Sequence, residues 1–336
     1  MKHLKTKLMA SVVMLLIATV LMSTASYAWF TISTAPEIKG MTAKVVVNEN
    51  LEVALLATSA SAPTAIPAAA AIGDSDDKPN KAGDYTWGNL INLKNNAAAE
   101  DGSAAKQYSA IDKTLRPAGL CASAGTPTGM ALNDFYYPKY GTDGRITELA
   151  KITAPTAYGM ANLVGSGDNL VYGYYMDVWV RTNVGGDLQV IAPSTTAVKR
   201  SANGEDGEGS YFKMSAETDA DKKAAQTTLG ENIRLAFLDV TPDITGAEKA
   251  ADDAAAVILT GTVDSANEAQ YNFSSTNIVT LKANQAKLIR IFVYLDGANV
   301  TNAAASLDTW ANQGDINIQF AMTNVDNSMD KVPAAS

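Results

Sequence analysis

VYGYYMDVWVRT, residues 171–182, is the stretch on which the fold turns. Four of its residues are Val or Thr, four are Tyr or Trp, and none is Pro. Such side chains fit a pleated, half-buried surface and read as a strand. Gly185-Gly186 follows and leads into Asp187-Leu-Gln-Val-Ile, a pattern that predicts a hairpin. Working outward, IRLAFLDV at 233–240 alternates apolar and polar. LIRIFVYLD at 288–296 puts Ile289, Ile291, Val293 and Leu295 on one face, and DINIQFAM at 315–322 does the same for Ile316, Ile318 and Phe320. Near the start of the chain, MTAKVVV at 41–47 and LEVAL at 51–55 read as two short strands around the turn residues Asn48-Glu49-Asn50. A further strand is expected over 85–93. Many short strands with turn signals predict a mainly β fold, an antiparallel β-sandwich or jelly roll.

The segments between these strands are of another kind. Residues 57–71 are mostly Ala, Ser, Pro and Thr, too poor in large apolar groups to order themselves, and predict an exposed loop. Residues 97–115 read as partly helical before Pro117. The stretches 215–229, 247–256 and 303–311 are Ala-rich and read as helical surface insertions. The expected organisation is a signal over 1–28, an extended arm over 29–40 and a β-sandwich domain over 41–336. That domain carries insertions at about 57–83, 97–120, 197–230 and 243–256.

The first thirty residues decide where the protein works. Lys2, Lys5 and Lys7 precede an apolar run from Leu8 to Met22, and small residues follow. Ser26 and Ala28 occupy the −3 and −1 positions, where a signal peptidase admits only small side chains. The run spans 15 residues, shorter than the roughly 20 of a membrane-spanning helix. A hydrophobic N-terminal signal helix cleaved after Ala28 is therefore expected, rather than an anchor. The exported chain would begin Trp29-Phe30-Thr31-Ile32.

Composition narrows the chemistry. The whole chain has 26 basic and 35 acidic residues, and removing 1–28 takes away three lysines and no acid. Such acidity favours solubility and argues against nucleic acid or an anionic membrane as partner, so the membrane enters only through the signal before cleavage. One cysteine, Cys121, permits no intramolecular disulfide and reads as a small buried apolar residue. A disulfide-free exported chain rich in Ala, Asn, Thr and Asp points to a Gram-positive bacterial surface protein. The single histidine, His3, lies in the signal, which leaves no His for a triad, a zinc site or a general base. No enzyme activity, catalytic residue or cofactor is expected; an Asp/Glu glycan hydrolase is the one catalytic class that composition leaves open. Two acidic loops, around Asp74, Asp76 and Asp77 and around Glu205, Asp206 and Glu208, are weak calcium candidates. Calcium takes six to eight oxygens and neither loop has the EF-hand spacing, so solvated turns are the plainer reading.

The junction AWFT at 28–31, following a signal that ends in small residues, resembles the TasA and camelysin group of exported fibre proteins. In that group a SipW-type signal peptidase cleaves before an aromatic-rich start. The strand MTAKVVVNENLEVAL at 41–55 is similar to the small-residue strand that follows there. The segments at 171–183 and 290–302 also resemble uncharacterised exported proteins of clostridial type. The resemblance implies a jelly-roll sandwich and self-association into a surface or biofilm-matrix filament. Trp29 and Phe30 are expected either to be buried in the chain's own sandwich or, with Ile32, Pro36 keeping the segment out of helix and Gly40 as a swivel, to form an assembly arm that adds a strand to a neighbouring subunit. The other reading is a monomeric extracellular adhesin or glycan- or protein-binding module.

Overall fold

The computed structural model describes residues 38–47, 51–56, 66, 80–82, 85–88, 90–92, 111–122, 129–140, 142, 146–152, 159, 161–164, 171–193, 209–214, 218–242, 255–297 and 314–326. The described strands are, in chain order, β1 (Ile38–Val47), β2 (Leu51–Leu55), β3 (Asn80–Ala82), β4 (Tyr85–Trp87), β5 (Leu90–Asn92), β6 (Ile111–Leu115), β7 (Pro117–Leu120), β8 (Phe135–Tyr140), β9 (Ile146–Ile152) and β10 (Ala161–Val164). Then come β11 (Val171–Thr182), β12 (Gly185–Val190), β13 (Tyr211–Met214), helix α1 (Ala220–Glu231), β14 (Ile233–Asp239), β15 (Val257–Thr260), β16 (Thr262–Val263), β17 (Gln270–Asn272), β18 (Thr276–Leu281), β19 (Gln285–Asp296) and β20 (Gly314–Asp326). The protein is mainly β with antiparallel sheets.

One layer runs β15, β14, β19, β11, with β2 and β10 sharing the far edge of β11. The other is built on β20, flanked by β1 on one side and by β12 and β13 on the other. Strands β18 and β17 lie beyond these, and β5 and β6 beyond β1. The two layers share one core. Val178 and Val180 of β11, Ile289, Ile291, Val293 and Leu295 of β19, and Leu235 and Phe237 of β14 belong to the same buried cluster as Val45, Val47, Ile316, Ile318 and Phe320 from the other layer. Phe237 meets Phe320 across the gap, ring centroids 5.8 Å apart. Burying alternate faces of both layers is the hydrophobic driving force of the fold.

The first layer is buried on its other face too. Phe135, Tyr137, Ala150 and Ile152 from β8 and β9 pack on Tyr172, Tyr175, Phe292 and Tyr294. At the opposite end Trp87 and Leu56 pack on Trp179, Ala286 and Leu288. All twelve residues of β11 are consequently buried, which explains a sequence dense in large side chains on both of its faces.

Several expectations are corrected. Gly185-Gly186 does not close a hairpin: β11 pairs with β19 and β2, whereas β12 pairs with β18 and β20. Both edges of β11 are taken over 178–182, so the chain has no edge to return to and crosses to the other layer. Likewise, β1 and β2 flank the expected turn but belong to different layers. The segment at 85–93 breaks into β4 and β5, with Gly88 between them exchanging backbone bonds with Val53. Residues 111–115 and 117–120, expected within a partly helical insertion over 97–120, are strands. Leu115 and Ala118 are buried, and pairing with β1, β8 and β19 overrides local helix preference. Pro117 begins its strand, where the missing N–H costs least. Not every pair is antiparallel: β1 and β20 run parallel over seven register positions. A parallel pair needs a long crossover, and nearly the whole domain supplies it.

Candidate functional site

Charges set into the outer face of the first layer are the most organised polar feature of the described residues. Asp177 of β11 and Arg290 of β19 are register partners. Arg290 donates from Nε to Asp177 Oδ1 at 2.7 Å and from an Nη to Oδ2 at 2.9 Å, a bidentate pair. The Gly159 N–H donates to the same Oδ2 at 2.8 Å and the Asp177 N–H returns a bond to Gly159 O at 3.1 Å, which pins the approach to β10. The Arg290 guanidinium lies 4.3 Å from the Tyr175 ring centroid. Burial pushes the Asp177 carboxyl above its ordinary range even though Arg290 and the Gly159 N–H pull the other way.

A second pair lies four residues along. Glu52 of β2 and Arg181 of β11 are register partners, and Nε donates to Oε2 at 2.6 Å. Trp87 covers this guanidinium, its centroid 4.1 Å away. Nearer solvent, Lys287 donates to Asp239 Oδ2 at 2.7 Å, and the Thr241 hydroxyl and N–H both donate to Oδ1. Burial works upward on Asp239, but Lys287 and Thr241 outweigh it and hold the carboxyl below its usual range. Arg234 joins Asp296 at 3.3 Å and donates to Glu231 O at 2.6 Å, tying the end of α1 to the sheet. The arrangement fixes register: a one-residue slip would set each buried charge against an apolar side chain. The sequence signal was there, because Asp177 and Arg181 stand four apart on the face opposite Val178 and Val180.

The expected site residues fall mostly elsewhere. Ser26, Ala28, Trp29, Phe30, Ile32 and Pro36 lie outside the described residues, as do the calcium candidates Asp74, Asp76, Asp77, Glu205, Asp206 and Glu208. Among the described residues no group of three or more His, Cys, Asp or Glu could hold a metal ion. Gly40, expected as a free swivel, is inside β1. It sits where the register against β6 shifts between Lys39 and Met41, so it serves an irregularity in a paired strand. Cys121 is buried, as expected of a small apolar residue.

Sheet edges are the other feature that bears on assembly. Among the described residues, β9, β10, β15 and β18 each pair along one side only. Val164 of β10, at 39% exposure, is the large hydrophobic side chain left open to solvent there. Comparison with protein-family models, with curated proteins and with solved structures finds no match for this chain.

Proposed function

We propose that this chain is a secreted structural protein, the subunit of a bacterial cell-surface or biofilm-matrix filament held together by non-covalent donor-strand contacts. A signal helix cleaved after Ala28 and a jelly-roll connectivity of the β domain are part of that reading. The observation that supports it is the place of β1, the strand that follows the arm in sequence. Trp29 to Glu37 lead directly into β1, which is paired on both sides, with β20 on one and β5 and β6 on the other. A chain entering a fold at a central strand has a firm root from which to transmit load. Trp29, Phe30 and Ile32 ahead of that root would cost solubility unless covered, and a neighbour's open edge covers them. Among the described residues no broad apolar patch offers another way for copies to adhere, since Val164 stands alone.

Negative-stain microscopy of the purified exported protein tests this directly. Fibres are expected, whereas dispersed monomers would favour the adhesin reading. Deleting residues 29–35 is expected to leave a folded monomer that no longer polymerises. Unfolding on deletion would assign the arm to its own core, and fibres without it would refute the donor-strand mechanism.

A further inference from the structure

We propose that β1 and β20 form a shear clamp, the element through which this protein carries tension between its two ends. They are the first and the last strands of the described residues, and they lie side by side. Their pairing is parallel and unbroken from Met41 against Gly314 to Val47 against Phe320. Tension enters β1 at Ile38 and leaves β20 at Asp326, at opposite ends of the pair. Such a pull drives the strands past each other along their length. The evenly spaced bonds of a parallel ladder are then loaded in concert rather than one after another. Residues 48–313 all lie behind this ladder in the chain, so none of them extends until it gives way. The inference goes beyond the filament reading, because a fibre subunit and a single adhesin under tension would both use the clamp.

Neither strand has an easier way out. The other side of β1 is held by β5 and β6, so pulling it free means sliding past three partners. The other side of β20 is held by β13 over 314–317 and by β12 over 320–326. Between them the Gln319 N–H donates to Ser210 Oγ at 2.9 Å and its carbonyl accepts from the Ile191 N–H at 2.9 Å, which closes the step from one partner to the other. Side chains oppose sliding as well. Val45, Val47, Ile316, Ile318 and Phe320 belong to the shared core, and a one-residue slip would turn that set toward the outer face. On the outer face water, the competitor for a stretched backbone bond, is kept off the middle of β20. Asn317 and Gln319 are buried there, where Asn317 donates to Gly209 O and the Gly209 N–H donates to Gln319 Oε1 at 2.8 Å.

Single-molecule pulling in two directions tests the assignment. Held through its two ends, the exported protein should give one rupture and one extension of about 1,000 Å, the contour of residues 38–326. In the second geometry the handles are Lys39→Cys and Asp315→Cys, in a Cys121→Ala background. These positions lie at the same end of the two strands, so the ladder opens bond by bond. Rupture there is expected at a force lower by at least about threefold at the same pulling speed. Equal forces in the two directions, or release from the ends in short steps at low force, would overturn the clamp. Two truncations in the same core separate clamp strength from general stability. Ile318→Ala, on β20, should lower the end-to-end rupture force, whereas Ile291→Ala, on β19, should lower the urea midpoint and leave that force unchanged. A fall of the same size in both would mean that the whole core, and not the ladder, resists the pull. If either truncation fails to fold, the comparison of the two pulling directions still decides. Fibres are scored separately by microscopy, so the clamp and the filament reading stand or fall independently.

Discussion

Tyr174 turns its ring into the shared core at 1% exposure, and its hydroxyl has no hydrogen-bond partner. Burial alone drives the phenol far above its ordinary pKa, so it stays neutral at every working pH. A buried hydroxyl without a partner keeps its full desolvation cost, whereas a phenyl ring of the same shape has none. Tyr174→Phe should therefore stabilise the protein by ~1 kcal/mol, read as a higher urea midpoint at unchanged slope. A loss of stability on this substitution would mean that the hydroxyl is satisfied in solution. Asp177 is the opposite case, with every oxygen engaged and burial still the dominant influence on its titration. The two residues sit three apart on one strand, and only their surroundings make one polar group a liability and the other a register lock.

At the scale of elements, α1 shows why an Ala-rich helical segment is not always a surface insertion. The sequence places a helix over 215–229 and the structure forms it at Ala220–Glu231. Its last turns are not at the surface: Leu229 belongs to the core and Gln226 is buried. The Tyr271 hydroxyl donates to Gln226 O at 3.1 Å, and its ring closes directly on Gly230. A Cβ at Gly230 would fall 2.0 Å from that ring, which is itself fully buried and tethered. Gly230→Ala should thus destabilise by about 1–3 kcal/mol through overpacking, even though alanine is the better helix former. Urea denaturation of the variant checks this, and a gain in stability would show that α1 can slide off β17. Nothing in the one-dimensional pattern marks Gly230, because its role exists only once α1 meets Tyr271.

For the whole molecule, Phe320 is where the two layers are joined most directly. It is fully buried on β20 and packs edge-on against Phe237 of β14. Truncating it leaves a void that neither layer can close alone, so Phe320→Ala should cost ~3–5 kcal/mol. A measured loss under ~1 kcal/mol would mean that the layers repack freely around the site. Because β20 also pairs with β1, the strand that follows the arm, this variant should weaken assembly only as far as it weakens folding.

Local pattern in the sequence determined the mainly β class, the strands that cover 171–182, 233–239, 288–296 and 315–322, and, for the last two, the face that turns into the shared core. Alternation at period two is a property of the strand itself and survives any topology. Pairing and long-range contact were decided only by the tertiary structure. Whether Gly185-Gly186 makes a hairpin depends on whether the edge of β11 is free, and β2, far away in sequence, had already taken it. Residues 111–120 become strands because β1 and β19 offer them partners. The buried pairs Asp177–Arg290 and Glu52–Arg181 join residues 113 and 129 positions apart. Each charge was visible in the sequence; what the sequence could not supply was the layer that covers it, since desolvation is set by what packs on top.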